Sequence, residues 1–121
     1  MKRFGKYNAQ KTDCCQGHKH DSRFEANRCD ELHLMQKKGI ISNLRTQVRY
    51  ELTPAMKYEQ FGMPNERNVT YIADFVYTQY GLTFIEDTKG FKTPEYVIKR
   101  KMLKRQYCTD GMTIFLETRE S

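Results

Sequence analysis

The chain has 121 residues, of which 38% are hydrophobic and 30% are charged, and its formal net charge is +6. This length fits one domain, and because no apolar run approaches ~18 residues, a membrane-spanning helix is excluded. The basic excess lies in residues 1–20 and 95–121, whereas residues 21–94 are balanced. That distribution fits either a surface that binds a polyanion or ordinary solubilising charge.

Residues 1–20 are polar and basic, and we expect them to form an N-terminal arm before a single domain over residues 21–121. No apolar stretch follows Met1–Lys6, so we expect no secretory signal and reduced cysteines. Four side chains of the arm suggest a structural zinc site: Cys14, Cys15, His18 and His20. Cys29 is the further candidate ligand of this cluster, but it falls on the apolar face of a predicted helix. Because the spacing also fits no common zinc finger, zinc remains the weaker interpretation.

The first predicted helix begins at the N-cap candidate Ser22 and runs to about Lys38, where Gly39 ends it. Glu25 follows Ser22 by three residues, as in a capping box. Glu25 also falls within the apolar stripe of this helix, which consists of Phe24, Cys29, Leu32 and Met35. A carboxylate on that stripe either caps the helix, or belongs to a functional site, or does both.

Three strands are expected next. Residues 44–52 alternate between apolar and polar, which predicts a strand with one solvated face, and residues 53–68 are predicted to form a long loop. Residues 69–77 and 82–89 are predicted to form a hairpin whose turn contains Gly81.

Thr93-Pro94 predicts the start of a second helix, which extends to about Tyr107, and residues 112–116 predict a last strand. The exposed face of this helix is strongly basic and carries Lys99, Arg100, Lys101, Lys104 and Arg105. The sequence therefore predicts an α/β domain with the order helix, three strands, helix, strand.

Carboxylates are expected to meet on one face of the predicted hairpin. Period-two alternation places Asp74 with Ile72 and Val76, places Asp87 with Lys89, and turns Glu86 to the other face. Paired carboxylates repel each other and are costly to desolvate, so a divalent cation or a proton between them is expected. With Glu25 approaching from the first helix, the acids indicate a site for Mg²⁺ or Mn²⁺. The alternative is a structural ion pair of Asp87 with Lys89 beside an edge-exposed Asp74.

The hairpin carries a resemblance to a known superfamily. Tyr71–Phe75 followed by Ile85–Gly90 resembles the signature of PD-(D/E)XK (restriction-endonuclease-like) nucleases, in which an acid is followed, about a dozen residues on, by acid-any-lysine. Ala73 stands where the signature has proline, and Ser22–Ala26 resembles the helical acid motif. Further similarity to small phage-encoded proteins of this superfamily lies at Ile41–Leu44, Glu86–Gly90, Thr93-Pro94 and Tyr96. The resemblance covers roughly residues 17–117.

The resemblance implies a restriction-endonuclease-like core of order αβββαβ, with a mixed central sheet flanked by helices, and a Mg²⁺-dependent DNA endonuclease. Asp74, Asp87 and the carbonyl oxygen of Thr88 would then hold Mg²⁺ against a phosphate oxygen. Lys89 would position or deprotonate the attacking water, or stabilise the transition state. Glu25 would hold a second metal or orient a metal-bound water.

The short chain leaves little room for a sequence-reading module, so structure-specific cleavage of branched DNA is expected. The resemblance to small junction resolvases of this superfamily implies a homodimer, in the cytoplasm of a bacterial host. Phosphates would be bound by the basic helix, and Gln47 and Arg49 of the first strand are further candidates for DNA contact. Tyr71 and Tyr77 alternate onto the face opposite Asp74, which predicts core packing for both. The alternatives are a non-catalytic nucleic-acid-binding module on a nuclease fold, and a zinc-stabilised phage accessory protein.

Overall fold

A computed structural model describes residues 12–13, 19–20, 22–57, 62, 64–88 and 92–118. Predicted sites at Cys14, Cys15, His18 and Lys89, and the side chain of His20, lie outside the described residues. The elements in chain order are β1 (Thr12–Asp13), β2 (Lys19–His20), α1 (Arg23–Lys37), β3 (Ser42–Thr53), β4 (Val69–Gln79), β5 (Leu82–Thr88), α2 (Pro94–Tyr107) and β6 (Thr113–Thr118).

Both helices begin at the predicted caps. The Ser22 hydroxyl accepts a hydrogen bond from the backbone N–H of Glu25 at 3.1 Å, and the Thr93 hydroxyl accepts one from Tyr96 at 3.1 Å. Each bond satisfies a backbone donor that has no partner within the helix. α1 ends just before Gly39, whose φ of +80° is strained for any residue with a Cβ atom. The predicted helices are therefore confirmed to within one residue.

The main sheet has four strands in the order β3-β4-β5-β6. β3 pairs antiparallel with β4, β4 antiparallel with β5, and β5 parallel with β6, so the sheet is mixed. The predicted hairpin is confirmed, with its turn at Tyr80 and Gly81, where φ is positive at both positions. β6 extends to Thr118, two residues beyond the predicted end, and this places Glu117 inside the strand. The predicted α/β class is confirmed.

Buried side chains form two clusters, one on each face of the sheet. Phe75 and Tyr77 of β4 pack with Cys29 and Leu32 of α1. The second cluster holds Leu103 of α2 with Leu52, Tyr71, Ala73, Val76 and Ile85 of the sheet. Because Phe75 and Val76 are consecutive in a strand, their side chains leave the sheet on opposite faces. α1 and α2 therefore cover opposite faces.

The segment between β3 and β4 is predicted to be a loop, and in its described part a backbone bridge joins its two ends. The backbones of Met56 and Glu66 exchange hydrogen bonds of 2.9 and 2.8 Å. Within the described residues, no helix combines the length and the apolar character needed to cross a membrane.

Candidate active site

Hydrogen bonds link Asp74 of β4 to Asp87 and Thr88 of β5. Oδ1 of Asp87 accepts a bond from the backbone N–H of Asp74 at 2.9 Å. Oδ2 of Asp74 accepts bonds from the backbone N–H and the hydroxyl of Thr88, at 2.9 and 3.0 Å. Phe75 pairs with Glu86, so Asp74 and Asp87 are the next residues beyond the paired part of β4 and β5, close to where the sequence predicts them. Asp74 is 7% exposed and Asp87 is fully buried, so two carboxylates lie close together in a poorly solvated place.

The sheet is distorted at the level of this acid pair. In a regular strand Tyr71, Ala73, Phe75 and Tyr77 would share one face, yet Tyr71 and Ala73 belong to the cluster on the α2 side and the other two to the cluster on the α1 side. The alternation therefore breaks at Asp74. Opposite Asp74 in the register of β3, Gln47 has a φ of +53°, which is strained for a residue other than glycine.

The distortion corrects one prediction about the tyrosines. Both are buried as predicted, but Tyr71 lies on the α2 side and lines the same cavity as Asp87, whereas Tyr77 lies on the α1 side. The prediction that Tyr71 faces away from the acids is therefore wrong. Ile72, predicted to share a face with Val76, is 44% exposed and also lines this cavity. A strict period of two cannot anticipate a break inside a strand.

Glu86 belongs to a different network on the α1 side, which confirms that it points away from Asp87. Its carboxylate accepts two hydrogen bonds from Arg28, at 2.6 and 2.9 Å, and one from the Tyr77 hydroxyl at 2.8 Å. Hydrogen bonding to Glu86 raises the pKa of Arg28 above its usual value, so the guanidinium stays charged at all ordinary pH values. We missed Arg28 in the sequence because nothing in its local pattern distinguishes it from a solvated arginine.

Glu117 is the third carboxylate on the α2 side, and it lies beside Asp87 in the β5–β6 register. It accepts hydrogen bonds from the Tyr96 hydroxyl at 2.5 Å and from Arg100 at 2.8 Å, and forms an ion pair with Lys92 at 2.7 Å. Burial alone would raise the pKa of Glu117, but the three hydrogen bonds outweigh it and lower the pKa to about 2. Glu117 therefore stays ionised and holds Tyr96 in place.

The basic residues of α2 divide into two groups. Lys99 pairs with Glu95 at 3.2 Å and Arg100 pairs with Glu117, so the structure gives both predicted DNA-binding residues an internal partner. The remaining three side chains are exposed: Lys101, Lys104 and Arg105. Gln47 and Arg49 are also exposed, on the edge strand β3. The exposed cations of α2 are thus the ones available for a polyanion without breaking an ion pair.

The carboxylate oxygens of Asp74 and Asp87 are suitable ligands for a hard cation. Oδ1 of Asp87 accepts the bond from the Asp74 backbone, and Oδ2 of Asp74 accepts the two bonds from Thr88, so both carboxylates are held in fixed orientations. Buried carboxylate oxygens are the donors that Mg²⁺ and Mn²⁺ prefer. Among the described residues, no group of three or more His, Cys, Asp or Glu side chains is placed to hold a metal ion. Glu25 is 6% exposed on α1, and its role as a further ligand stays a prediction.

Comparison with known proteins places this site in a recognised family. Residues 4–117 match the profile of DUF1064, which is described as a protein of unknown function. The chain belongs to the DUF1064 family. No curated protein and no solved structure gives a significant match.

The part of the chain that matches DUF1064 contains every feature of the candidate site, from Glu25 on α1 to Glu117 on β6. The sequence identified Asp74 and Asp87 but missed Tyr71, Tyr96 and Glu117 as their neighbours. Glu117 was not identified from the sequence because the predicted last strand ended at residue 116. Counting one more alternation along that strand would have found it.

Proposed function

We propose that this DUF1064 protein is a Mg²⁺- or Mn²⁺-dependent DNA endonuclease with a restriction-endonuclease-like core. The observation that carries the proposal is the close approach of two buried carboxylates on adjacent strands, since Asp87 accepts a hydrogen bond from the Asp74 backbone and Asp74 accepts two from Thr88, the residue after Asp87. Burying two like charges side by side costs free energy, and a cation bound between them offsets that cost. The resemblance of these strands to PD-(D/E)XK nucleases supports the same reaction.

In this proposal Asp74, Asp87 and the Thr88 carbonyl oxygen hold the cation. When bound, the cation would neutralise charge that develops on the phosphate and make a water more acidic. Thr88 fixes the orientation of the Asp74 carboxylate through its two hydrogen bonds, so the second oxygen of Asp74 keeps a defined direction. Lys89 is proposed to position or deprotonate the attacking water, and Glu25 to orient a second cation or a water.

The exposed cations of α2 support DNA as the substrate. Lys101, Lys104 and Arg105 would bind phosphates that flank the cleaved one, a salt-dependent contact that carries no sequence information. Because such contacts carry no sequence information, we propose that the enzyme recognises branched DNA structure, as a homodimer in the cytoplasm of a phage-infected bacterium.

The test is incubation of the full-length protein with linear, nicked, flapped and four-way-junction DNA, each with Mg²⁺ or with EDTA. We expect cleavage in Mg²⁺, with branched DNA preferred, and none in EDTA. The variant Asp87→Asn should lose this cleavage. Its matched control is Glu51→Gln, which removes an exposed acid on β3. Binding of every DNA without cleavage of any would support a non-catalytic nucleic-acid-binding module instead.

A further inference from the structure

A cavity of about 280 Å³ opens beside Asp87, between β4 and the start of α2. Its described lining includes the side chains of Tyr71, Ile72, Tyr96 and Lys99. We call this space the tyrosine cavity. Its volume lies near the lower end of small-molecule sites, about 300 Å³, which is room for about one nucleotide unit.

One wall of the tyrosine cavity is aromatic and rigid. The rings of Tyr71 and Tyr96 lie with their centroids 6.2 Å apart. The hydrogen bond from the Tyr96 hydroxyl to Glu117, at 2.5 Å, restrains the orientation of the Tyr96 ring, and Glu117 is itself held by Lys92 and Arg100. The Arg100 guanidinium carbon also lies over the Tyr96 ring, 5.5 Å from its centroid. A ring fixed in this way loses little conformational entropy when a flat ligand packs against the part of it that lines the cavity.

The other lining groups match the rest of a nucleotide. Ile72 presents an apolar side chain that is 44% exposed, which suits a base or sugar. Lys99 pairs with Glu95, whose side chain is 76% exposed, and such a surface ion pair is weak enough for a phosphate to displace. Asp87, the proposed cation ligand, lies in the same lining. A phosphodiester at the acid pair would therefore place its neighbouring base at the tyrosine cavity.

We propose that the tyrosine cavity binds one unpaired nucleotide of the DNA, next to the phosphodiester that the enzyme cleaves. This inference rests on the proposed nuclease function and names the substrate class of the same site. A base inside a duplex is stacked and paired, so it reaches such a cavity only after unpairing, whereas a base at a flap or bulge is already available. Branched DNA would then be preferred because it supplies that base at least cost.

The test follows the fluorescence of 2-aminopurine in two DNAs that differ only in whether the probe is unpaired at a single-nucleotide bulge or paired in the duplex. Titration with metal-free protein in EDTA measures binding without cleavage. We expect the fluorescence of the unpaired probe to change on binding and that of the paired probe to stay constant. Tyr96→Ala should bind the bulged DNA roughly 5- to 100-fold more weakly, with affinity for the paired DNA unchanged.

Three variants separate stacking from general damage. Tyr96→Phe keeps the ring and should retain the fluorescence change, while Tyr80→Ala removes a tyrosine that is 88% exposed at the β4–β5 turn and should behave as wild type. Ile72→Ala, at a position that is 44% exposed, should weaken binding of the bulged DNA even if Tyr96→Ala fails to fold. Equal affinity for bulged and paired DNA, with no change in the fluorescence of either probe, would overturn the inference.

The same proteins distinguish this failure from failure of the nuclease proposal. Mg²⁺-dependent cleavage that proceeds equally on paired and bulged DNA, with no fluorescence change, would overturn the proposed nucleotide site but support the proposed nuclease function. A fluorescence change that depends on Tyr96, without cleavage of any DNA in Mg²⁺, would support the proposed nucleotide site and contradict the proposed nuclease function.

Discussion

Glu86 and Asp87 are consecutive residues of β5, and their carboxylates serve separate networks on the two faces of the sheet. Glu86 accepts hydrogen bonds from Arg28 and Tyr77 on the α1 side, whereas Asp87 accepts one from the backbone of Asp74 and lines the tyrosine cavity on the α2 side. Because a one-residue shift of β5 would exchange these environments, the Arg28–Glu86 pair also fixes the register that places Asp87.

Glu86→Gln should therefore destabilise the protein without removing the candidate site. Loss of the negative charge leaves the largely buried Arg28 guanidinium without its main partner, and we expect a decrease of about 3 kcal/mol in the free energy of unfolding. Urea unfolding measures this. Glu31→Gln is the matched control, since Glu31 also approaches Arg28 but is 65% exposed, and it should cost less than about 1 kcal/mol.

The same variant tests which acid belongs to the site. Below its unfolding temperature Glu86→Gln should retain most cleavage activity. An inactive Glu86→Gln beside an active Asp87→Asn would show that the two acids have been assigned the wrong roles.

Asp74→Asn should abolish cleavage while DNA affinity changes little. The amide oxygen of Asn can still accept the hydrogen bonds from Thr88, so the local structure should persist, but the charge that holds a cation is gone. From the sequence, Lys89→Ala should have the same effect. Cleavage and filter binding are measured on the same flapped DNA, and wild-type turnover in either variant would contradict the site assignment.

Neutralising the three exposed cations of α2 should weaken DNA binding uniformly across sequences. Each lost phosphate contact on duplex DNA should reduce the slope of log K against log salt by about 0.9. The variant replaces Lys101, Lys104 and Arg105 by Gln. A control variant replaces three exposed cations of α1 and its C-cap, Arg23, Lys37 and Lys38. Equal salt slopes for the two triple variants would mean that α2 faces away from DNA.

Glu117 should make stability dependent on pH in the acid range. Its pKa is about 2 in the folded protein against 4.5 for the unperturbed group, so its contribution is full above pH 4.5 and is lost as pH falls towards 2. The shift corresponds to about 3 kcal/mol. Glu117→Gln should be less stable at pH 7 and lose less stability on acidification, whereas Glu95→Gln should follow wild type. Parallel stability curves for Glu117→Gln and wild type between pH 5 and 2 would contradict this.

The local features of the fold were predictable because local chemistry decides them. Ser22 and Thr93 mark helix starts through their side-chain oxygens, and the alternation of residues 44–52 identifies β3. The acid pair was also accessible, because a hairpin with a short turn fixes which residues face each other.

The surroundings of the acid pair depend on contacts between residues far apart in sequence. The break in alternation at Asp74 places Tyr71 on the α2 side, and it coincides with the positive φ of Gln47 on the neighbouring strand. The Arg28–Glu86 pair joins residues that are 58 positions apart, and no local sequence pattern predicts it. The tyrosine cavity arises only when α2 docks on β4.

Cation binding by Asp74 and Asp87 is tested most directly by the thermal unfolding of wild type and Asp87→Asn, each with EDTA or with Mg²⁺. Two carboxylates ~4 Å apart at an effective dielectric constant near 20 repel by about 4 kcal/mol before screening and proton uptake reduce it. In EDTA, Asp87→Asn should therefore unfold at a higher temperature than wild type. Mg²⁺ at ~100 times its Kd should stabilise wild type by about 2.7 kcal/mol and do much less for the variant. A destabilised Asp87→Asn together with a wild type indifferent to Mg²⁺ would contradict the account, and would instead indicate a structural ion pair of Asp87 with Lys89.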